Sequence, residues 1–106
     1  MITIPLGKIA VATAGTIVQV TSAPTFCHAI IVSQIAASTG VAHFGTSTLV
    51  ASTLVGVVKT FLKPSTTGLA DVLVLKSPGG NLLNAADYWV DVAVNGEGLL
   101  VSLLQI

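Results

Sequence analysis

Charge is what this chain has least of. Its 106 residues include four lysines, four acidic side chains and no arginine, which makes 8% charged and a net charge of zero. Soluble domains usually carry about 25% charged residues. From Ile9 to Val58 no residue is charged at all, so self-repulsion does little to keep the molecule in solution. Phosphate binding draws on clustered Lys and Arg, and Lys8, Lys59, Lys63 and Lys76 are scattered, so no nucleic-acid partner is expected. The single cysteine, Cys27, excludes an intrachain disulfide, fits synthesis in a reducing compartment and reads as a small core hydrophobe. Long apolar runs are missing too. Thr, Ser, Gln, His and Pro interrupt the uncharged region before any window reaches the roughly 18 residues of a membrane span, so no membrane insertion is expected. The opening MITIPLGKIAVATAG has no basic stretch ahead of its apolar residues, and Pro5 interrupts it, so no signal peptide is expected either.

What the chain does have is β-branched side chains: Val, Ile and Thr make up about a third of it. These types fit a pleated surface and lose rotamer freedom in helices. Turn signals recur at Thr13-Ala14-Gly15, Ser22-Ala23-Pro24, Ser38-Thr39-Gly40, Pro64 to Gly68, Ser77 to Asn81 and Asn95-Gly96, at spacings typical of sandwiches and barrels. The expectation is a single all-β domain over residues 1–106, an antiparallel β-sandwich or jelly-roll-like fold of about eight short strands. Strands are expected at 8–12, 16–21, 26–36, 41–45, 57–62, 69–76, 88–94 and 99–105. In TSTLVASTLVGVVKTFL the stripe Leu49, Thr53, Val57 has helical spacing, but the Ser and Thr before Gly56 weaken a helix, and irregular chain leading into a strand is expected. Residues 82–86 fit one helical turn.

The C-terminal stretch YWVDVAVNGEGLLVSLLQI holds more apolar side chains than one buried face accounts for. Taking Asn95-Gly96 as a two-residue hairpin turn puts Val92 opposite Leu99, Val90 opposite Val101 and Tyr88 opposite Leu103 on a core face. The other face then carries Trp89, Asp91, Leu100, Ser102 and Leu104. An aromatic among apolar and polar neighbours is the composition of a partner-contacting surface, or of a Trp that plugs one end of the sandwich. Trp89, Leu100 and Leu104 are the candidate subunit or partner contacts.

Chemistry is harder to find. Cys27 and His28 are neighbours on an expected strand, so their side chains point to opposite faces and form no local dyad. If Ser38-Thr39-Gly40 turns residues 26–36 back onto 41–45, His43 lies near Gln34 and His28 is roughly 20 Å away at strand rise, too far to share a metal. His43 reads as a hydrogen-bonded, half-buried sheet histidine. SPGGN has the glycines of a phosphate loop without Gly-Lys-Ser or a following helix, and reads as a plain turn. Asp87 and Asp91 are four apart, as paired acid and base could be, and read as a solvated face with a rim salt bridge to Lys. No catalytic residue, cofactor site or metal site is identified, and no enzyme activity is expected.

Taken in order, Ser38-Thr39-Gly40-Val41-Ala42-His43-Phe44-Gly45, Leu62-Lys63-Pro64, Asn84 through Tyr88-Trp89-Val90-Asp91, and Asn95-Gly96-Glu97-Gly98 before a closing apolar strand resemble the small β-sandwich structural proteins of tailed bacteriophages. The likeness covers about two-thirds of the chain, roughly Gln34 to Gln105. It departs from the family pattern at Ser38, where Asn is usual, and at Ser65, where Gly is usual. The resemblance implies a virion component without catalysis, made in the host cytoplasm and placed on the capsid surface. Its expected role is that of a decoration or cement protein on the major capsid protein lattice, as a homo-oligomer with a trimer favoured. The alternatives are a tail, neck or fibre component and, from a different class, a carbohydrate-binding sandwich. The last would need aromatics spaced along one face, whereas Tyr88 and Trp89 point to opposite faces of one strand.

Overall fold

Two segments, AIIVSQ and GLLVSLLQ, are apolar at both odd and even positions, a pattern that suits a strand in the middle of a sheet with both faces covered. In the computed structural model, which describes residues 2–35, 37–63 and 71–105, these segments are the two inner strands of one sheet. The described strands are β1 Ile2–Ala10, β2 Val18–Gln19, β3 Phe26–Cys27, β4 Ala29–Gln34, β5 Ala42–Val50, β6 Val55–Phe61, β7 Val72–Lys76, β8 Leu83–Asn84, β9 Tyr88–Val92 and β10 Gly98–Gln105. A 3-10 turn at Ala85–Asp87 leads into β9, and Asn84 caps it by accepting the Ala86 N–H. The helical turn expected at 82–86 therefore begins three residues later.

Pairing is antiparallel and nested: β1 with β10, β2 with β9, β3 with β8, β4 with β7 and β5 with β6. The chain is thus one long two-stranded ribbon whose tip lies between β5 and β6. Rolling the ribbon sets β10 beside β4 and β9 beside β5. The result is two four-stranded sheets ordered β1-β10-β4-β7 and β2-β9-β5-β6, the winding of a jelly roll. The expected antiparallel sandwich is present, with eight principal strands and the short β3·β8 pair. No helix among the described residues is long and apolar enough to cross a membrane.

The core lies between the sheets. One side contributes Ile30, Val32, Leu99, Val101 and Leu103, and the other Ala42, Phe44, Phe61, Val90 and Val92. Tyr88 stacks on Phe44 with ring centroids 5.3 Å apart. Each large buried side chain contributes about 1.5–3 kcal/mol by leaving water, and Phe44 and Phe61 are the largest that are fully enclosed. Gln34 ties the sheets at one end: its Nε2 donates to the carbonyls of Leu62 and Gly40, while its Oε1 accepts the Ile35 N–H. Gly98 is required where β10 meets β1, because a Cβ there would sit 2.0 Å from the Ile9 carbonyl oxygen.

Three expectations need correction. The Asn95-Gly96 hairpin does not form: β9 and β10 belong to different sheets, and the turn carries the chain from one sheet to the other. For the same reason residues 38–40 do not fold the 26–36 segment onto 41–45, since β4 and β5 face each other across the sandwich. Residues 46–50, expected to be irregular, continue β5, because Thr is a strong strand former whatever its polarity. The turn expected at Pro64 to Gly68 and the start of the 69–76 strand lie outside the described residues.

Candidate functional site

With the core positions fixed, strand alternation decides what faces outward. On the sheet β1-β10-β4-β7 the register lines up three rows: Lys8, Leu100, Ser33, Val72; then Pro5, Ser102, Ile31, Val74; then Thr3, Leu104, Ala29, Lys76. The apolar side chains of this outer face are concentrated on β10, β4 and β7, with Pro5 on β1. Val72 is 57% exposed, Val74 49% and Leu100 43%, with Ile31 and Leu104 half-buried among them. Among these twelve residues the charged ones are Lys8 and Lys76, at diagonal corners on the two edge strands. The sequence points to Leu100 and Leu104 but not to Ile31, Val72 or Val74, although the unbroken run VLVLK carries the signal.

Trp89 lies elsewhere. It is half-buried on the outer face of the other sheet, with Gln19 and Gly45 as register neighbours. Because β9 and β10 are in separate sheets, Trp89 shares no face with Leu100 and Leu104. The three expected contacts divide into a pair on one side of the sandwich and one residue on the other.

The face around Trp89 has a polar row of its own. His43 stands between Asp91 and Thr60 in register, and its Nδ1 is 3.0 Å from the Thr60 hydroxyl. Both members of the Asp91-His43 pair are covered, at 2% and 8% exposure. Asp91 Oδ1 accepts the N–H of Gly15 at 2.9 Å and of Val92 at 2.8 Å. The cover comes from the loop holding Gly15 and from the β5–β6 tip. Leu49, Val50, Ala51 and Ser52 form one wall of a cleft of about 290 Å³, and Gly15, Asp91 and Val92 form the other. The tip is also apolar and strained: Leu54 is 58% exposed and holds φ 59, a left-handed conformation that costs a residue other than Gly about 1–3 kcal/mol. Asp91 is therefore not the solvated rim residue expected from its position, and Asp87 sits in the 3-10 turn instead of on the strand beside it.

Cys27 is enclosed, donates to the Leu83 carbonyl at 3.7 Å, and is raised above the ordinary thiol range by burial. His28 is half-buried between β3 and β4, away from His43. Among the described residues no three His, Cys, Asp or Glu side chains gather as metal ligands would.

Two groups couple the fold to falling pH. Burial pushes His43 below its ordinary 6.5, against the opposing pull of the Asp91 charge. Glu97 is held below 4.5, first by the Thr39 N–H and further by the Thr39 hydroxyl, the Gly40 N–H and Lys8, against partial loss of hydration. Both folded values lie below the unfolded ones, so each contribution is complete above the unfolded value and is lost as pH falls. Urea midpoints should therefore hold steady at neutral pH and then drop in two stages, below 6.5 for His43 and below 4.5 for Glu97. His43→Gln should remove the upper stage and Glu97→Gln the lower. An upper stage that persists in His43→Gln would mean another group produces it.

No protein-family model, no curated protein and no solved structure matches the chain.

Proposed function

We propose that the protein is a non-enzymatic structural subunit of a virion, a decoration or cement protein that binds the lattice of a major capsid protein and stabilises it. The observation that carries this reading is the outer face of the β1-β10-β4-β7 sheet, where Leu100, Val72 and Val74 stand exposed around Ile31 and Leu104. Contiguous apolar surface of this kind marks a site of association, and a sheet face with lysines confined to its corners has the apolar centre and polar rim of an interface. Jelly rolls serve in capsid and lectin domains alike, so the fold alone does not choose a role. The sequence resemblance supplies the choice, and with it the preference for a homotrimer. A carbohydrate-binding reading is weaker, because Tyr88 is spent on stacking with Phe44 inside the core and leaves Trp89 without an aromatic companion on its face.

Finding a major capsid protein gene beside that of this chain, then co-expressing the two and imaging the particles by electron microscopy, tests the proposal. Regular density at the lattice symmetry axes is expected. Bare capsids with the protein on tails or necks would move it to the tail, neck or fibre alternative, and absence from both would overturn the virion assignment.

A further inference from the structure

The Asp91 carboxylate is buried and has no lysine partner among the described residues. Oδ1 accepts two backbone N–H groups, while Oδ2 accepts none from the described residues. Each lysine is accounted for elsewhere. Lys8 and Lys76 lie on the opposite sheet. Lys59 is turned inward with its Nζ 5.4 Å from the centre of the Phe61 ring, and Lys63 is exposed beyond the end of β6. His43, the one basic group beside Asp91, is biased by burial toward its neutral form. Two N–H groups offset the burial of Oδ1, and Oδ2 is not an enclosed atom left without a partner. A carboxylate this covered and lacking a counter-charge keeps one oxygen for whatever enters the cleft it lines.

The cleft has the shape and chemistry of half an ion pair. Its far wall is aliphatic, from Leu49, Val50 and Ala51, with the hydroxyl of Ser52 beside them. At about 290 Å³ it lies just below the roughly 300–1,000 Å³ of sites for drug-sized ligands, so one long side chain fits within it. Lysine and arginine lay their methylene stems along apolar surface and carry the charge at the end. We propose that this cleft receives a lysine or arginine side chain from another polypeptide, its stem against Leu49 and Val50 and its cationic head on Asp91. The exposed apolar residues of the tip, Leu54 and Val55 beside Val50, then meet the chain that carries it. This site is on the opposite side of the sandwich from the apolar sheet face and does not depend on the virion reading.

The test uses the whole protein and three small probes: Nα-acetyl-lysine N-methylamide, Nα-acetyl-arginine N-methylamide and, as the neutral control, Nα-acetyl-norleucine N-methylamide. Amide resonances of Gly15, Ala51 and Ser52 are followed by NMR. Saturable shifts are expected with the two cationic probes and none with norleucine. Asp91→Asn keeps an oxygen to accept the Gly15 and Val92 N–H groups and should weaken the cationic probes by at least about tenfold, the loss expected for one charged hydrogen bond. Ala51→Leu narrows the cleft, leaves the carboxylate in place and should weaken them too, which keeps the test decisive if Asp91→Asn does not fold. Equal shifts from norleucine, no saturable shift from either cation, or unchanged affinity in the folded variants would overturn the proposal. A dilution series without probe identifies the donor: the same amides move with protein concentration if a second copy supplies the lysine, and stay fixed if a different protein does.

Discussion

Val92→Asp is expected to leave no folded protein. Val92 is 2% exposed, pairs with Ala42 across β9 and β5, and belongs to the cluster between the sheets with Phe44, Leu99 and Val101. A carboxylate there would find neither water nor a cation. An uncompensated buried charge costs about 3–5 kcal/mol, and the lost apolar burial adds to it. A domain of this size holds together by about 5–15 kcal/mol in total, so the substitution consumes most of the margin. Circular dichroism and one-dimensional NMR of the variant should show an unfolded or aggregated chain. A cooperative thermal transition near that of the parent would mean that position 92 faces outward and that the register is displaced by one residue.

Leu100→Asp should do the reverse. Leu100 sits between Leu99 and Val101 in sequence, yet it points away from them, with Lys8 and Ser33 as its register neighbours. A carboxylate there meets solvent in the isolated subunit and has Lys8 beside it, so the chain should stay folded, at a cost of about 1–2 kcal/mol for the apolar burial lost from a half-covered leucine. Under the proposed role, assembly and capsid binding should be lost, because the charge must be stripped of water once a partner covers the face. Val74→Asp, two strands away on the same face, should behave alike, whereas Trp89→Ser should leave this contact intact. If Trp89→Ser abolished assembly and the two Asp variants did not, the contact would lie on the β2-β9-β5-β6 sheet.

The contrast between those two positions was legible in the sequence for a simple reason. A strand alternates sides whatever it pairs with, so Val90, Val92, Leu99 and Val101 fall on core faces even though the hairpin meant to join them does not exist. Partner choice was not legible. Gly96 has a positive φ but Asn95 does not, whereas the two-residue hairpin turn that Asn-Gly favours needs it at both; the dipeptide alone cannot tell a hairpin from a crossing between sheets. That distinction rests on β1 and β4 pairing with β10 from far away in the chain. This also explains the two-sided apolar pattern of GLLVSLLQ: one face meets the core and the other contributes Leu100 and Leu104 to the outer sheet face.

Asp91 was misread for the complementary reason. Alternation correctly puts it on an outer face, and outer usually means wet. Here the Gly15 loop and the Leu49–Ser52 wall cover that face, and nothing within the strand YWVDV announces a cover contributed by residues more than 35 positions away. The Trp89 grouping failed with the hairpin that produced it.

Light scattering on the purified wild-type protein at micromolar concentration, with Leu100→Asp measured alongside, tests the central claim most directly. The exposed apolar face predicts a wild-type mass at least twice the single-chain 10.7 kDa, threefold for the trimer, and a folded Leu100→Asp variant at the single-chain mass. A monodisperse wild-type monomer, indistinguishable from the variant, would contradict it.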